Sequence, residues 1–296
     1  MDDRVKHLEE LSEAFKTKDI VTQLSDFKMM TNSLFKLTQS LFDNNEKTKY
    51  FHSELENKYF RYGIANHSIV KLMSGNEFKL IDLEIKITDL FSIFSITRMQ
   101  IESYALMFYL FYEDITENEK DFRYDIYKLH GLSKQSKFKV KSEKNIEKRD
   151  KILTEIEILK EKISEFETFK NSSEKEQKDF LKPGRAMLSF SKQLLKRSGL
   201  ESSRIDEMWD LYSNYAHSEY ISDRQFNSIY KINKSTLEET LLALNINAIM
   251  TAKLCVFLSS SFRGVMTKYN ELSTKERVHI EIWSKMYTQT VANSSF

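Results

Sequence analysis

Apolar residues recur along this chain at steps of three and four, the periodicity of helices that bury one face. Between Ile20 and Asp43, residues Phe27, Met30, Leu34, Leu37 and Leu41 fall on one stripe. A second long helix is expected over Glu46 to Met73, with Tyr50, Leu55, Tyr59, Tyr62 and Ile69 among its larger side chains; Ser74, Gly75 and Asn76 stop it, and Gly63 is the weakest helix former in its middle. Phe78 to Tyr112 continues helically through Ile81, Ile85, Leu90, Phe94, Ile101 and Leu106. Its Phe-rich stretch also suits a strand, and the unbroken length decides for helix. From Asn145 to Lys170, Ile152, Ile156, Leu159, Ile163 and Phe166 keep a 4-3-4-3 spacing between Glu and Lys residues. That narrow coiled-coil-like seam needs a partner helix, within the chain or across a dimer. Pro183 and Gly184 form the clearest break, after which Ala186 to Lys196 begins another helix. Ser202 or Ser203 caps a helix through Trp209 toward His217, and Ser235 with Glu238 resembles a capping box before the apolar run Leu241 to Phe262. A final amphipathic helix is expected from about Thr274 to Tyr287.

Composition strengthens this picture. One Pro and six Gly in 296 residues leave few interruptions, and 41% hydrophobic with 12% aromatic residues is enough to build a core. The expected fold class is all-α: a multi-helix bundle with long helices, one domain over residues 1–296 carrying a charged, coiled-coil-like helical insertion at about 140–180. A formal charge of +1 provides no global field for nucleic acid or an anionic membrane, so any basic patch is local, as in KQSKFKVKSEK after Gly131. The single Cys255 excludes an internal disulfide and any multi-cysteine zinc site, in keeping with a reducing cytoplasm. MDDRVKHLEE has no apolar h-region, so no secretory signal is expected. Leu241 to Phe262 is long enough to span a bilayer, but Asn245, Asn247 and Lys253 make it more economically the central helix of a bundle; no membrane partner is expected.

Two places concentrate polar groups in apolar surroundings. Arg98 and Glu102 lie four apart on one helix face, where each needs a bonded partner or a ligand. Tyr212, Ser213, Tyr215, His217, Ser218 and Glu219 gather hydroxyls, an imidazole and a carboxylate within eight residues. There His217 is the candidate general base, oriented by Glu219 or Glu102, with Tyr212, Tyr215 and Glu219 as candidate binding groups. The bland reading of both places is structural: an ion pair, and a helix-end histidine bonded to backbone. The Arg-to-His spacings Arg61 to His67 and Arg123 to His130 match that of HEPN ribonucleases. Eleven Arg and six His produce such spacings by chance, and Tyr62 and Tyr124 stand where that family places a small polar residue. Glu276 to His279 is a lone Glu-x-x-His, short of a di-iron set, and the phosphate-loop, dinucleotide, zinc-protease and hydrolase motifs are missing from the sequence. No cofactor or metal is expected.

TRMQIESYALMFYLFYED, with its R-x3-E helix, and DLYSNYAHSEYIS, with its Tyr-x4-His segment, resemble bacterial helical domains of the 5677 family of domains of unknown function. FRYDIYKLHGLSKQSKFK extends the likeness, which runs discontinuously from about Phe78 to Leu258. The resemblance implies an all-helical fold in which Arg98, Glu102, Tyr212 and His217 come together, and it supplies no settled reaction. Two function classes follow. The leading one is a helical regulatory module acting through a protein partner or as a homo-oligomer. The other is a metal-independent, HEPN-like ribonuclease or effector of a bacterial defence or toxin system, with RNA as partner and Arg98, Glu102 and His217 as its catalytic groups.

Overall fold

The computed structural model describes residues 3–43, 52–80, 83–188, 191–200, 203–217, 219–229 and 235–286. Among them are fourteen α-helices, one π-helical turn and one two-stranded hairpin, so the all-α expectation holds. The expected helix start at Glu46, with Tyr50, and residues Ile81, Ser202, Ser218 and Tyr287 lie outside the described residues.

The chain divides into two compact units, Met1–Ala105 with Gly199–Phe296, and Leu106–Ser198. The first contains α1 (Asp3–Lys16), α2 (Ile20–Asp43), α3 (His52–Met73), β1 (Asn76–Leu80), β2 (Leu83–Ile87) and most of α4 (Leu90–Met107). The second begins at the end of α4 and contains the π-helical turn Phe108–Tyr112, α5 (Glu117–Gln135), α6 (Glu143–Glu165), α7 (Glu167–Lys170), α8 (Glu174–Leu181) and α9 (Ser191–Arg197). The first then resumes with α10 (Ser203–Ala216), α11 (Tyr220–Ile229), α12 (Leu237–Ser261), α13 (Arg263–Asn270) and α14 (Thr274–Lys285).

In the first unit α12 is the central helix, packed on α2, α13 and α14 and buried along most of its length. It alone among the described helices is long and apolar enough to cross a membrane, and 78% of its apolar window is buried inside the protein, as in the core helix of a soluble fold. The stripe predicted on α2 is the core: Phe27, Met30, Leu34 and Leu37 are fully buried. α3 runs unbroken through Gly63, and the ring of Phe35 packs 2.6 Å from where a Cβ at that position would lie. The expected helix over Phe78–Ile87 is wrong. β1 and β2 pair antiparallel with Phe78 opposite Ile85, and Gly75, at φ +83°, ends α3 before them. From Phe78 to Ile87 the period-two alternation of FKL and LEIKI outweighs helical length.

A polar network crosses this apolar core. Asn66 on α3 donates to Thr31 of α2 (3.3 Å) and Thr251 of α12 (2.8 Å), and Gln100 of α4 donates to the Asn66 side-chain oxygen (2.7 Å) and the Tyr62 carbonyl (3.0 Å). Asn247 donates to Thr97 (2.8 Å). All of these side chains are essentially inaccessible, so the pairing fixes which helix faces meet.

The capping signals differ from expectation. Ser235 accepts from the Leu237 amide, 3.2 Å away, but Glu238 does not complete a box and instead meets Lys18 at 2.6 Å. Among the described residues, complete boxes are formed by Ser173–Glu176 on α8 and Ser273–Glu276 on α14. Burial alone would raise the pKa of Glu276. Hydrogen bonds from the Lys36 ammonium, the Ser273 amide and hydroxyl and the Ser33 hydroxyl outweigh it and hold the carboxyl at about 2. Because the folded pKa lies below the unfolded one, this stabilisation is complete above about pH 4.5 and is lost as pH falls toward 2. Glu276→Gln is therefore expected to cost about 2 kcal/mol at neutral pH and to flatten the acid limb of stability. Denaturant titrations at a series of pH values check this; parallel curves for the two proteins would reject it.

In the second unit the seam of α6 packs inside the chain. Ile156, Leu159 and Ile163 close on Phe122, Ile126 and Leu129 of α5, with Ile152, Phe166, Phe169 and Phe180 at the edge. The helix stops at Phe166, whose extended backbone (ψ 140°) separates α6 from α7. Ala186 does not begin a helix, and the following helical stretch is Ser191–Arg197.

Candidate functional site

Arg98 and Glu102 sit one turn apart on α4, and their side chains meet at 2.8 Å. The Arg98 side chain is 14% exposed and that of Glu102 is 53% exposed, so the guanidinium is sunk while the carboxylate reaches solvent. α10 meets the guanidinium at its Nε edge and on one face. Its Nε donates to the Ser213 hydroxyl (2.7 Å), which itself donates to the Trp209 carbonyl (2.7 Å), and its carbon lies 4.5 Å from the centre of the Trp209 ring. Burial lowers the Arg98 pKa, opposed by Glu102 and by the charge of Asp210; a guanidinium stays charged through such a shift.

The other expected site residues serve different ends. Tyr212 is buried, its ring stacked on Phe94 at 4.6 Å. Tyr215 lies edge-on to Phe91 and Phe94, both at 5.0 Å, and its hydroxyl bonds to Gln225. His217 is exposed just past the end of α10, with its amide on the Ser213 carbonyl (3.0 Å). Among the described residues no hydrogen bond or ion pair joins its imidazole to Arg98 or Glu102. Glu219 is also exposed; its amide bonds the Asn214 carbonyl and its own carbonyl accepts from Ser222, which shapes the turn into α11. The structure thus joins Arg98 and Glu102 to Ser213 and Trp209, and leaves His217 without an orienting carboxylate among the described residues. Trp209 and Ser213 are one turn apart on α10 and so face Arg98 together, but their pairing with α4 spans more than a hundred positions and has no local signal in the sequence.

The two Arg-to-His spacings fall in different units of the chain. Arg61 and His67 are both exposed on α3. Arg123 belongs to a partly buried charge cluster of the second unit, while His130 bonds the Pro183 carbonyl at 2.9 Å. In that cluster Glu113 pairs with both Arg123 and Arg197, Glu119 meets Arg123 at 3.0 Å, and the Arg123 guanidinium lies 4.4 Å from the Tyr109 ring centre. Burial would raise the pKa of Glu113; its two arginine partners reverse this and hold it below the ordinary range. The π-helical turn, closed by the Glu113 amide on the Phe108 carbonyl (2.9 Å), places Tyr109 and Glu113 on the side of Arg123.

On the first unit, Phe35, Thr38, Gln39, Phe42, Glu56, Asn57 and Phe60 line an open groove of about 640 Å³ along α2 and α3. Phe42 is 66% exposed, Phe60 53% and Ile64 48%, and Phe35 meets Phe60 edge-on at 5.8 Å. A second hollow shares Phe35 and Gln39 and runs on to Gly264 and Lys268 of α13. No three His, Cys, Asp or Glu side chains converge as a metal set among the described residues. Lys253, on buried α12, has its pKa lowered to about 8 by burial, and the buried Cys255 thiol is pushed far up by the same cause. No family model matches this chain, and no curated protein or solved structure matches it either.

Proposed function

We propose that this chain is a non-enzymatic helical module that works by holding a protein partner, with the groove along α2 and α3 as its contact surface. The observation that carries this reading is the pair Phe42 and Phe60, each more than half exposed, lining one groove together with Phe35. Scattered apolar side chains on a surface are ordinary; a cluster of aromatic rings around one hollow marks a contact site. Its shape suits the apolar face of an amphipathic helix, with Gln39, Glu56 and Asn57 as a polar rim that sets orientation. The Arg98 cluster supports the same reading, because Glu102, Ser213 and Trp209 occupy the guanidinium and His217 has no orienting partner among the described residues.

The test is a photo-crosslinking residue placed at Phe60 in native cells, with Val21 as control; Val21 is 75% exposed on α2 and lies outside the groove. A discrete protein adduct is expected from position 60, absent from position 21 and abolished by Phe42→Glu. Equal labelling at the two positions would overturn the proposal. RNA cleavage by the purified chain that is lost in Arg98→Ala or His217→Ala would replace it with the ribonuclease reading.

A further inference from the structure

The loop between α5 and α6 has a composition unlike the rest of the surface. Residues 134–148 contain Lys134, Lys137, Lys139, Lys141, Lys144 and Lys148 against only Glu143 and Glu147, a local charge of +4 in a chain whose total is +1. All six lysines are exposed, and among the described residues none of their ammonium groups has an ion-pair or hydrogen-bond partner. Elsewhere in this unit Lys120, Lys128, Lys160 and Lys162 each meet a carboxylate. The loop thus concentrates cations that the fold leaves uncompensated. At its tip Phe138 is 68% exposed, its amide held on the Gln135 carbonyl at 3.1 Å. Burial by the fold therefore does not account for this ring.

We infer that the α5–α6 tip is a docking surface for single-stranded nucleic acid, in which Phe138 stacks on a base and the flanking lysines meet successive phosphates. The alternation along the loop carries this. Lys137, Lys139 and Lys141 alternate with Phe138 and Val140 in a non-helical segment, so an exposed lysine both precedes and follows the exposed ring along the chain. A π-face between cations is how proteins hold single strands with little sequence preference, and duplex binding does not need the ring. A bilayer is less well matched, because Val140 is only partly exposed and the loop offers one ring instead of the broad apolar face of an interfacial helix. This surface belongs to the second unit and does not rest on the partner groove of the first.

The test is fluorescence anisotropy of the full chain with labelled oligouridylate, oligothymidylate and a DNA duplex across a salt series. Vesicles of phosphatidylserine and phosphatidylcholine form the competing arm. Single strands are expected to bind more tightly than the duplex. Phe138→Ala should weaken that binding about tenfold or more. Replacing Lys137, Lys139 and Lys141 with Gln should reduce the slope of log affinity against log salt by about 2. Circular dichroism confirms that these surface variants stay folded. Absence of single-strand binding, an unchanged affinity for Phe138→Ala, or binding to the vesicles alone would each overturn the inference.

Discussion

Glu113→Ala is expected to destabilise the second unit by about 3–5 kcal/mol, the cost of removing one member of a buried charge group and leaving its partners uncompensated. The Glu113 side chain is 10% exposed and that of Arg123 is 13% exposed, and Glu113 bonds both Arg123 and Arg197. Without it Arg123 keeps Glu119 and the Tyr109 ring, which places the loss toward the lower end of that range, while Arg197 retains more solvent. Hydrogen exchange is the direct readout: amides of Glu117–Gln135 should lose about two to three orders of magnitude of protection. Glu113→Gln keeps the shape and one acceptor and should fall between the wild type and Ala. Protection unchanged by either substitution would show that the arginines need no shared carboxylate.

Asn66→Ala is expected to cost about 3 kcal/mol and lower the melting temperature by roughly 5–10 °C. The substitution removes an acceptor for Gln100 and donors to Thr31 and Thr251 in a region closed to water, and it leaves a void. Thr251→Val should cost much less, about 1 kcal/mol, because Asn66 keeps its contact to Thr31. The two changes share one network, so the double variant should be less destabilised than the sum of the singles. Strict additivity in a thermal-melt cycle would mean that the hydrogen bonds are not coupled.

Helix periodicity made the long helices legible, since a stripe such as Phe27 to Leu41 is local information and burial followed it. The coiled-coil-like spacing of α6 announced a seam but not its partner. That choice was made by α5, whose Phe122, Ile126 and Leu129 present a matching stripe. The hairpin was missed because one apolar run satisfied two periods, and the competing signal was the alternation in LEIKI. At the site, the i,i+4 rule found the Arg98–Glu102 pair, while Ser213 and Trp209 depend on how α10 crosses α4, which no local pattern encodes. His217 was placed with them for its chemistry. One turn beyond Ser213 it has already left the helix and reached solvent. Glu113 drew no attention in the sequence because its importance comes from Arg197, 84 positions away.

The contact between Gly63 and Phe35 gives the groove an evolutionary signature. A side chain at position 63 and a full ring at position 35 cannot both occupy the space where a Cβ would lie 2.6 Å from the ring. Phe35 also lines the hollow, so a change at either position alters its shape. In relatives that retain this hollow the two positions should drift together: glycine with a large ring, or alanine with a shorter side chain that clears it. A lineage that breaks this coupling will have reshaped or abandoned the surface.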